Sequence, residues 1–325
     1  MILGQDRAVD QFASAWASRK LHHAWLLAGR RGVGKARFAH AAARRVLADA
    51  AGPPSSATGI DTSGDHPIAK LVEAGSHPDM RWLERLPKEK SDALARDITV
   101  NQVRELGDFM GMTAALSPWR VAVIDSMDEL NREASNALLK MLEEPPANTL
   151  FFLVSHAPGR LLPTIRSRCR RLDFQNLDDD AMTSILVTHA PQLSGPERQR
   201  IVGMSFGSAG RALSFADLDL AKLEEAALTI IRQGDPANAR RSSLASDLGK
   251  KAAAERYSAF LDLAPSLIAR EARQMQSSQR ERALDAYAKA RELATLAPRL
   301  SLDPSATVFQ LGGILAEIAA ASLKR

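Results

Sequence analysis

The sequence predicts an α/β domain, a parallel sheet flanked by helices and carrying a phosphate-binding loop, followed by purely helical domains. Three observations predict it. Short apolar runs at Ala24 to Ala28, Val121 to Ile124 and Thr149 to Val154 are each followed by a helical pattern, the alternation that builds a parallel sheet with helices on its faces. The first run leads straight into Gly29-Arg30-Arg31-Gly32-Val33-Gly34-Lys35-Ala36 and then a helix. In that context glycines let backbone amides converge on an anion, and the helix dipole adds to the attraction. Beyond Phe174 strand patterns cease and alanine-rich helical ones take over.

Composition sets the outer limits. A chain of 325 residues with 45% hydrophobic and 25% charged content is long enough for about two or three domains with proper cores. A formal charge of +5, from 43 basic and 38 acidic residues, is a mild excess that permits an acidic partner without demanding one. The single cysteine, Cys169, excludes an internal disulfide and a zinc site built on several thiolates. The start carries no charged segment leading into an apolar one, and no apolar run approaches about 18 residues, so a cytoplasmic chain with no membrane contact is expected.

Taken in order, Gly4-Gln5-Asp6 leads into a helix with Ala8, Phe12 and Trp16 on one face. His22 and His23 have no partner at ligand spacing and read as a turn before the strand. After the glycine loop comes a helix with Phe38, Ala42 and Val46 inward. Residues 50 to 78, rich in Gly, Pro, Ser and Asp, predict a long surface loop with a short helix from Ile68 to Glu73. Met80 to Leu86 reads as a strand and Pro87 to Asp97 as exposed charged chain. Ile98 to Met112 reads as an amphipathic helix burying Val100, Val103, Leu106 and Phe109 or Met110. The strand Val121 to Ile124 ends in Asp125, and a helix with Ala134, Leu138, Leu139 and Leu142 follows until Pro145 and Pro146 stop it. The next strand ends at Ser155 and His156, and a short helix carries the chain to Ile165-Arg166-Ser167-Arg168-Cys169. Caps at Asp178 and Ser194 and the stretch Gly207 to Ala216 mark three helices. Five more are expected, at Leu220 to Ile231, Arg240 to Lys251, Ala254 to Gln276, Gln279 to Ala297 and Ser305 to Leu323. Breaks between them fall at Gly234-Asp235-Pro236, Ser277-Ser278 and Pro298 to Pro304.

The glycine loop has the spacing GxxxxGK, which would let Lys35 reach terminal phosphates. A working loop ends in Ser or Thr, whose hydroxyl binds magnesium, and Ala36 has no hydroxyl. At the strand end, ATPases of this type place an acidic residue directly after the Asp to orient water; here Ser126 follows Asp125, and Asp128 and Glu129 lie farther on and would point elsewhere. Gly29, Gly32, Gly34, Lys35, Ala36, Asp125 and Ser126 therefore read as a degenerate nucleotide pocket. No cofactor is required, and residual ATP or ADP binding is left open. By charge pattern alone, Arg166, Arg168, Arg170 and Arg171 read as a solvated basic run.

The succession LHHAWLLAGRRGVGKARFA, HPDMRWLE, ITVNQVREL, WRVAVIDSMDELNREASNALLKMLEEPP, FFLVSHAPGRLLPTIRSRCRRLDF and GSAGRAL resembles the AAA+ clamp-loader family over roughly residues 1 to 215. Its most specific piece is Ser167-Arg168-Cys169 after LLPTIR. The resemblance implies an AAA+ P-loop domain over residues 1–175, a small helical lid over 176–216 and an all-helical collar over 217–325 that joins subunits in a ring. It implies that Arg168 is an arginine finger given in trans to ATP held by a neighbour, with sensor positions at Ser155 or His156 and at Arg211. Many relatives carry a cysteine-rich zinc module after the first helix; residues 48 to 80 hold no cysteine, so no zinc or other metal is expected. Implied partners are the other clamp-loader subunits, of gamma/tau and delta type, and through them the sliding clamp and primed DNA. The expected role is a subunit that does not hydrolyse ATP itself. The alternatives are a self-sufficient AAA+ ATPase of replication or repair, and a DNA-binding scaffold with steeply salt-dependent affinity.

Overall fold

The computed structural model describes residues 2–53, 59–88, 91–218 and 220–319. Its first unit, Met1–Ala181, begins with α1 (Asp6–Ala17), which buries Ala8, Phe12 and Ala15. Then come β1 (Ala24–Ala28), α2 (Lys35–Ala51), α3 (Pro67–Glu73), β2 (Met80–Leu83), β3 (Pro87–Lys88), β4 (Ser91–Leu94) and α4 (Val100–Gly111). The unit continues through β5 (Arg120–Asp125), α5 (Arg132–Glu143), β6 (Thr149–Ser155), α6 (Pro163–Arg166) and β7 (Arg170–Asp173).

Five strands pair in the order β2-β5-β6-β1-β7, all parallel. Because β1 and β6 are buried on both faces, their sequences are continuous apolar runs. Alternate residues still serve different layers. Trp25, Leu27, Phe152 and Val154 join Phe12 and Phe38 on one face, where Phe12 meets Trp25 edge-on at 5.2 Å and Phe38 at 5.8 Å. Ala24, Leu26, Phe151 and Leu153 join Val103, Leu106, Leu138 and Leu142 on the other. The register sets Ala28 beside Ser155 and Asp173, and Asp125 beside Val154. Thus β1, β5 and β6 all deliver their next residues to the carboxyl edge of the sheet, where an open α/β sheet presents its ligand site.

Several boundaries differ from expectation. β2 stops at Leu83 because its pairing with β5 ends there, at Ile124, and Leu86 is exposed. The stretch after it, expected to be irregular, folds back as the antiparallel pair β3 and β4; residues 89–90 between them lie outside the described residues, as do residues 54–58 of the expected long loop. α4 starts at Val100 because Thr99 and Gln102 form a reciprocal cap, leaving Ile98 to bridge to Leu130. Just before β2, the buried Asp79 accepts hydrogen bonds from the amides of Ala115, Leu116 and Ser117 at 2.6, 2.7 and 2.9 Å. A carboxylate thus organises the turn that feeds β5.

The second unit, Met182–Arg325, is helical throughout its described residues. Its helices are α7 (Asp179–His189, which starts in the first unit), α8 (Gly195–Ser205), α9 (Ala209–Asp217), α10 (Ala221–Gln233), α11 (Ala239–Leu248), α12 (Ala254–Ala272), α13 (Ser277–Leu300) and α14 (Pro304–Ala319). Asp178 caps α7, and Ser194 with Glu197 boxes the start of α8. Ser277 and Ser278 open α13 instead of breaking the chain, and Pro298 lies inside it. Pro298 forfeits its own hydrogen bond to the carbonyl four residues back, one bond lost in a long helix, and the break contracts to Ser301 through Asp303, with Ser301 left-handed at φ 51°. The end of the expected last helix, beyond Ala319, lies outside the described residues. Buried Glu224 and Glu271 are each paired, with Arg270 at 2.8 Å and Arg232 at 2.8 Å, as buried carboxylates require. Among the described residues no helix is long and apolar enough to cross a membrane.

Candidate functional site

The chain leaves β1 at Gly29, where a Cβ would stand 2.6 Å from the Phe174 carbonyl oxygen, so only glycine fits. Gly32 at φ 79° and Gly34 at φ 100° adopt the left-handed conformations that glycine permits. Gly34 caps α2, so the loop closes over a helix amino terminus, a natural anion site. Lys35 follows, nearly inaccessible, its Nζ donating to the carbonyls of Gly29 at 2.7 Å and Arg30 at 2.5 Å. Burial pulls its pKa down to about 8, against the opposing pull of Asp125 and Asp128. Its proton is therefore expected to leave on raising the pH through about 8, well before that of an exposed lysine, as followed by ¹⁵N NMR of the Nζ. Titration at the ordinary lysine value would show that the ammonium is not desolvated. Ala36 places a methyl group where magnesium would need an oxygen.

At the end of β5 burial raises the pKa of Asp125, reinforced by Glu84 and opposed by Lys35 and Arg31. Ser126 is buried, and its hydroxyl has no hydrogen-bond partner among the described residues. The two acids beyond it are both committed elsewhere. Asp128 accepts from the Ser155 hydroxyl at 3.1 Å and from the amides of His156 at 2.5 Å and Ala157 at 3.1 Å. Glu129 pairs with Arg85 at 2.8 Å. His156 is kept neutral: burial lowers its pKa to about 4, aided by Lys35 and Arg31 and resisted by Asp128.

The sheet edge thus gathers Gly29, Gly32, Gly34, Lys35, Ala36, Asp125, Ser126 and Ser155. Arg168 stands apart, between α6 and β7. Its Nη1 donates to the Thr164 carbonyl at 2.9 Å and its Nη2 pairs with Glu143 at 2.9 Å, with 35% of the side chain exposed. Of the basic run around it, Arg166, Arg170 and Arg171 are exposed, as expected. Arg170 lies over the Trp25 ring at 4.9 Å and Arg171 pairs with Asp173 at 2.6 Å. Cys169 donates its thiol to the Ile165 carbonyl, and burial pushes it up to about 12, so it offers no thiolate. Arg211, in the first turn of α9, donates to the Asp262 carbonyl at 3.0 Å and lies near the Phe215 ring. His23 contacts the Leu142 carbonyl at 3.1 Å and stacks on His22. Among the described residues no group of three or more His, Cys, Asp or Glu side chains is placed to hold a metal ion.

Two residues escaped the sequence reading. Gln5 is buried, and its amide donates to the carbonyls of Val33 at 3.2 Å and Gln175 at 2.8 Å while accepting from the Gln175 amide at 3.1 Å. It ties the glycine loop to the chain leaving β7; nothing in its sequence neighbourhood signals those long-range partners. Glu143 is the other, and its signal was an acid in the last turn of a helix, against the dipole.

Residues 4–178 match the model of the family described as DNA polymerase III, delta subunit. DNA polymerase III subunit delta′ of Pseudomonas aeruginosa is 41% identical over 147 residues, 45% of this chain and 41% of that protein. Subunit delta′ of Escherichia coli is 30% identical over 205 residues, 63% of this chain and 58% of that protein. Subunit tau/gamma of Haemophilus influenzae is 28% identical over 226 residues, 68% and 30% respectively. In each case the match spans less than two thirds of the relative. Among solved structures, a DNA polymerase III gamma subunit-related protein of Thermotoga maritima gives a TM-score of 0.45 at 16% identity, over 95% of this chain and 100% of that one. With the family model matched along more than half its length, the chain belongs to the DNA polymerase III delta subunit family.

Proposed function

We propose that this chain is a cytoplasmic, non-hydrolysing subunit of the replicative clamp loader, and that it gives Arg168 as an arginine finger to ATP bound by a neighbouring subunit. The observation that carries this reading is a phosphate-type loop kept in shape around Lys35 while the groups that would complete the magnesium and water positions beside Asp125 are missing or occupied: Ala36 has no oxygen, Ser126 stands where an acid would follow Asp125, Asp128 is held by residues 155–157 and Glu129 by Arg85. Family membership and the similarity to delta′ and tau/gamma proteins support the clamp-loader role.

In this reading residues 176–216 form a lid and 217–325 a collar that joins gamma/tau-type and delta-type neighbours, and the chain reaches the sliding clamp and primed DNA through them. Ser155 and Arg211 keep their sensor positions but act as ties, to Asp128 and Asp262. Neither zinc nor bound nucleotide is needed. A planar, permanently charged fork supplied across a subunit boundary makes the neighbour's hydrolysis depend on assembly.

The test is reconstitution with gamma/tau-type and delta-type subunits, followed by size-exclusion chromatography with light scattering and ATPase assays. A fixed-ratio complex should form, the isolated chain should turn over no ATP, and Lys35→Ala should leave the complex's turnover unchanged. ATP turnover by the isolated chain that Lys35→Ala abolishes would instead make it a self-sufficient ATPase.

A further inference from the structure

We infer that Glu143 is a positioning residue for Arg168: it fixes the plane of the guanidinium so that its remaining donors face outward, toward a phosphate on a neighbouring subunit. The inference rests on the finger reading above and adds the device that aims it.

Glu143 is the last residue of α5, with Glu144 at the C-cap behind it. Two carboxylates at a helix carboxyl terminus oppose the dipole, and local helix chemistry disfavours them there. Folding gains little in return, because the Glu143 and Arg168 side chains are 47% and 35% exposed and a pair so solvated contributes little stability. A locally unfavourable residue with no stabilising return is the kind of inconsistency that accompanies a functional site.

The geometry supplies the use. Glu143, on α5, forms an ion pair with Nη2 at 2.9 Å, and the Thr164 carbonyl, on α6, accepts a hydrogen bond from Nη1 at 2.9 Å. One hydrogen bond and one ion pair, on separate nitrogens and from separate helices, hold the fork by one side. Nε and the second hydrogens of the two Nη atoms remain for an incoming acceptor. A long flexible side chain held in this way meets a phosphoryl group already oriented, and that is where positioning affects rate.

The experiment uses the reconstituted complex, with kcat and KM for ATP measured separately. Glu143→Ala should lower kcat about two- to fivefold with KM unchanged. Glu143→Gln, which keeps the side chain's shape but loses the charge that makes the ion pair, should restore only part of it. The double variant Glu143→Ala/Arg168→Ala should be no slower than Arg168→Ala alone, since a positioning residue has nothing to aim once the guanidinium is gone. Size-exclusion profiles verify that each complex assembles. An unchanged or raised kcat in Glu143→Ala, with Arg168→Ala impaired, overturns the positioning role and leaves the finger intact. No effect of Arg168→Ala itself overturns the finger and this inference with it.

Discussion

Replacing Arg168 by alanine is expected to slow ATP turnover of the assembled complex by about 10³, the scale at which a finger in trans acts, while the chain folds and assembles as before. The separation follows from where the side chain sits. It is over a third exposed and its polar partners among the described residues are the Thr164 carbonyl and Glu143, so its loss costs the fold a few tenths of a kcal/mol. A thousandfold loss of rate corresponds to about 4 kcal/mol of transition-state stabilisation, far more than the exposed contacts of Arg168 itself contribute to the fold. Arg168→Lys keeps the charge and loses the planar fork, so its turnover should fall between wild type and alanine. Steady-state ATPase assays on size-exclusion-purified complexes decide the matter; turnover that stays at the wild-type level would refute the finger.

How much of this was legible depended on how local each feature is. β1, β5 and β6 are fully or almost fully buried, so their residues are apolar in unbroken runs, and the glycine loop is a contiguous string whose spacing carries its own geometry. The amphipathic helices were equally plain, since Val103, Leu106 and Met110 recur at helical intervals and are buried as a set. β7 was masked by its composition: only Leu172 of its residues is buried, and its arginines look like surface charge until the pairing with β1 places Arg170 over Trp25. β3 and β4 have no alternating apolar pattern to announce them. At the site, the residues one loop apart were found, and those brought together by topology were not. Asp128 was expected to point away, which says nothing of its three donors at the end of β6; Glu143 is distant from Arg168 in the chain and reaches it only because α5 and α6 pack together.

Asp79→Ala should damage the first unit severely while leaving the site's chemistry untouched. The carboxylate is buried and accepts the amides of Ala115, Leu116 and Ser117; alanine leaves the buried Ser117 amide without a partner, at about 1–3 kcal/mol, and gives up the two partly exposed bonds at about 0.5–1.5 kcal/mol each. A total of about 2–6 kcal/mol is a large part of a domain's stability, and for a unit of this size it lowers Tm by roughly 10 °C. Asp79→Asn keeps one oxygen and should fall between. The effect also carries a pH signature. Burial on its own would raise the pKa of Asp79, but the three amides and His77 outweigh it, and the net shift is below the ordinary 3.8. A folded-state value below the unfolded one means that the stabilisation is fully present above about pH 4 and is lost as the pH falls through the folded value. Urea melts should therefore show a wide gap between wild type and Asp79→Ala near neutral pH and a narrower one at about pH 3; an equal gap at both would mean that packing, not the charge, sets the loss. Because the Asp79 carbonyl also accepts the first amide of β5 that faces β2, at Val121, the damage begins at the end of that strand remote from Asp125. Complexes that do assemble with Asp79→Ala should accordingly keep their turnover, the opposite pattern to Arg168→Ala, which separates a loss of fold from a loss of finger in one pair of variants.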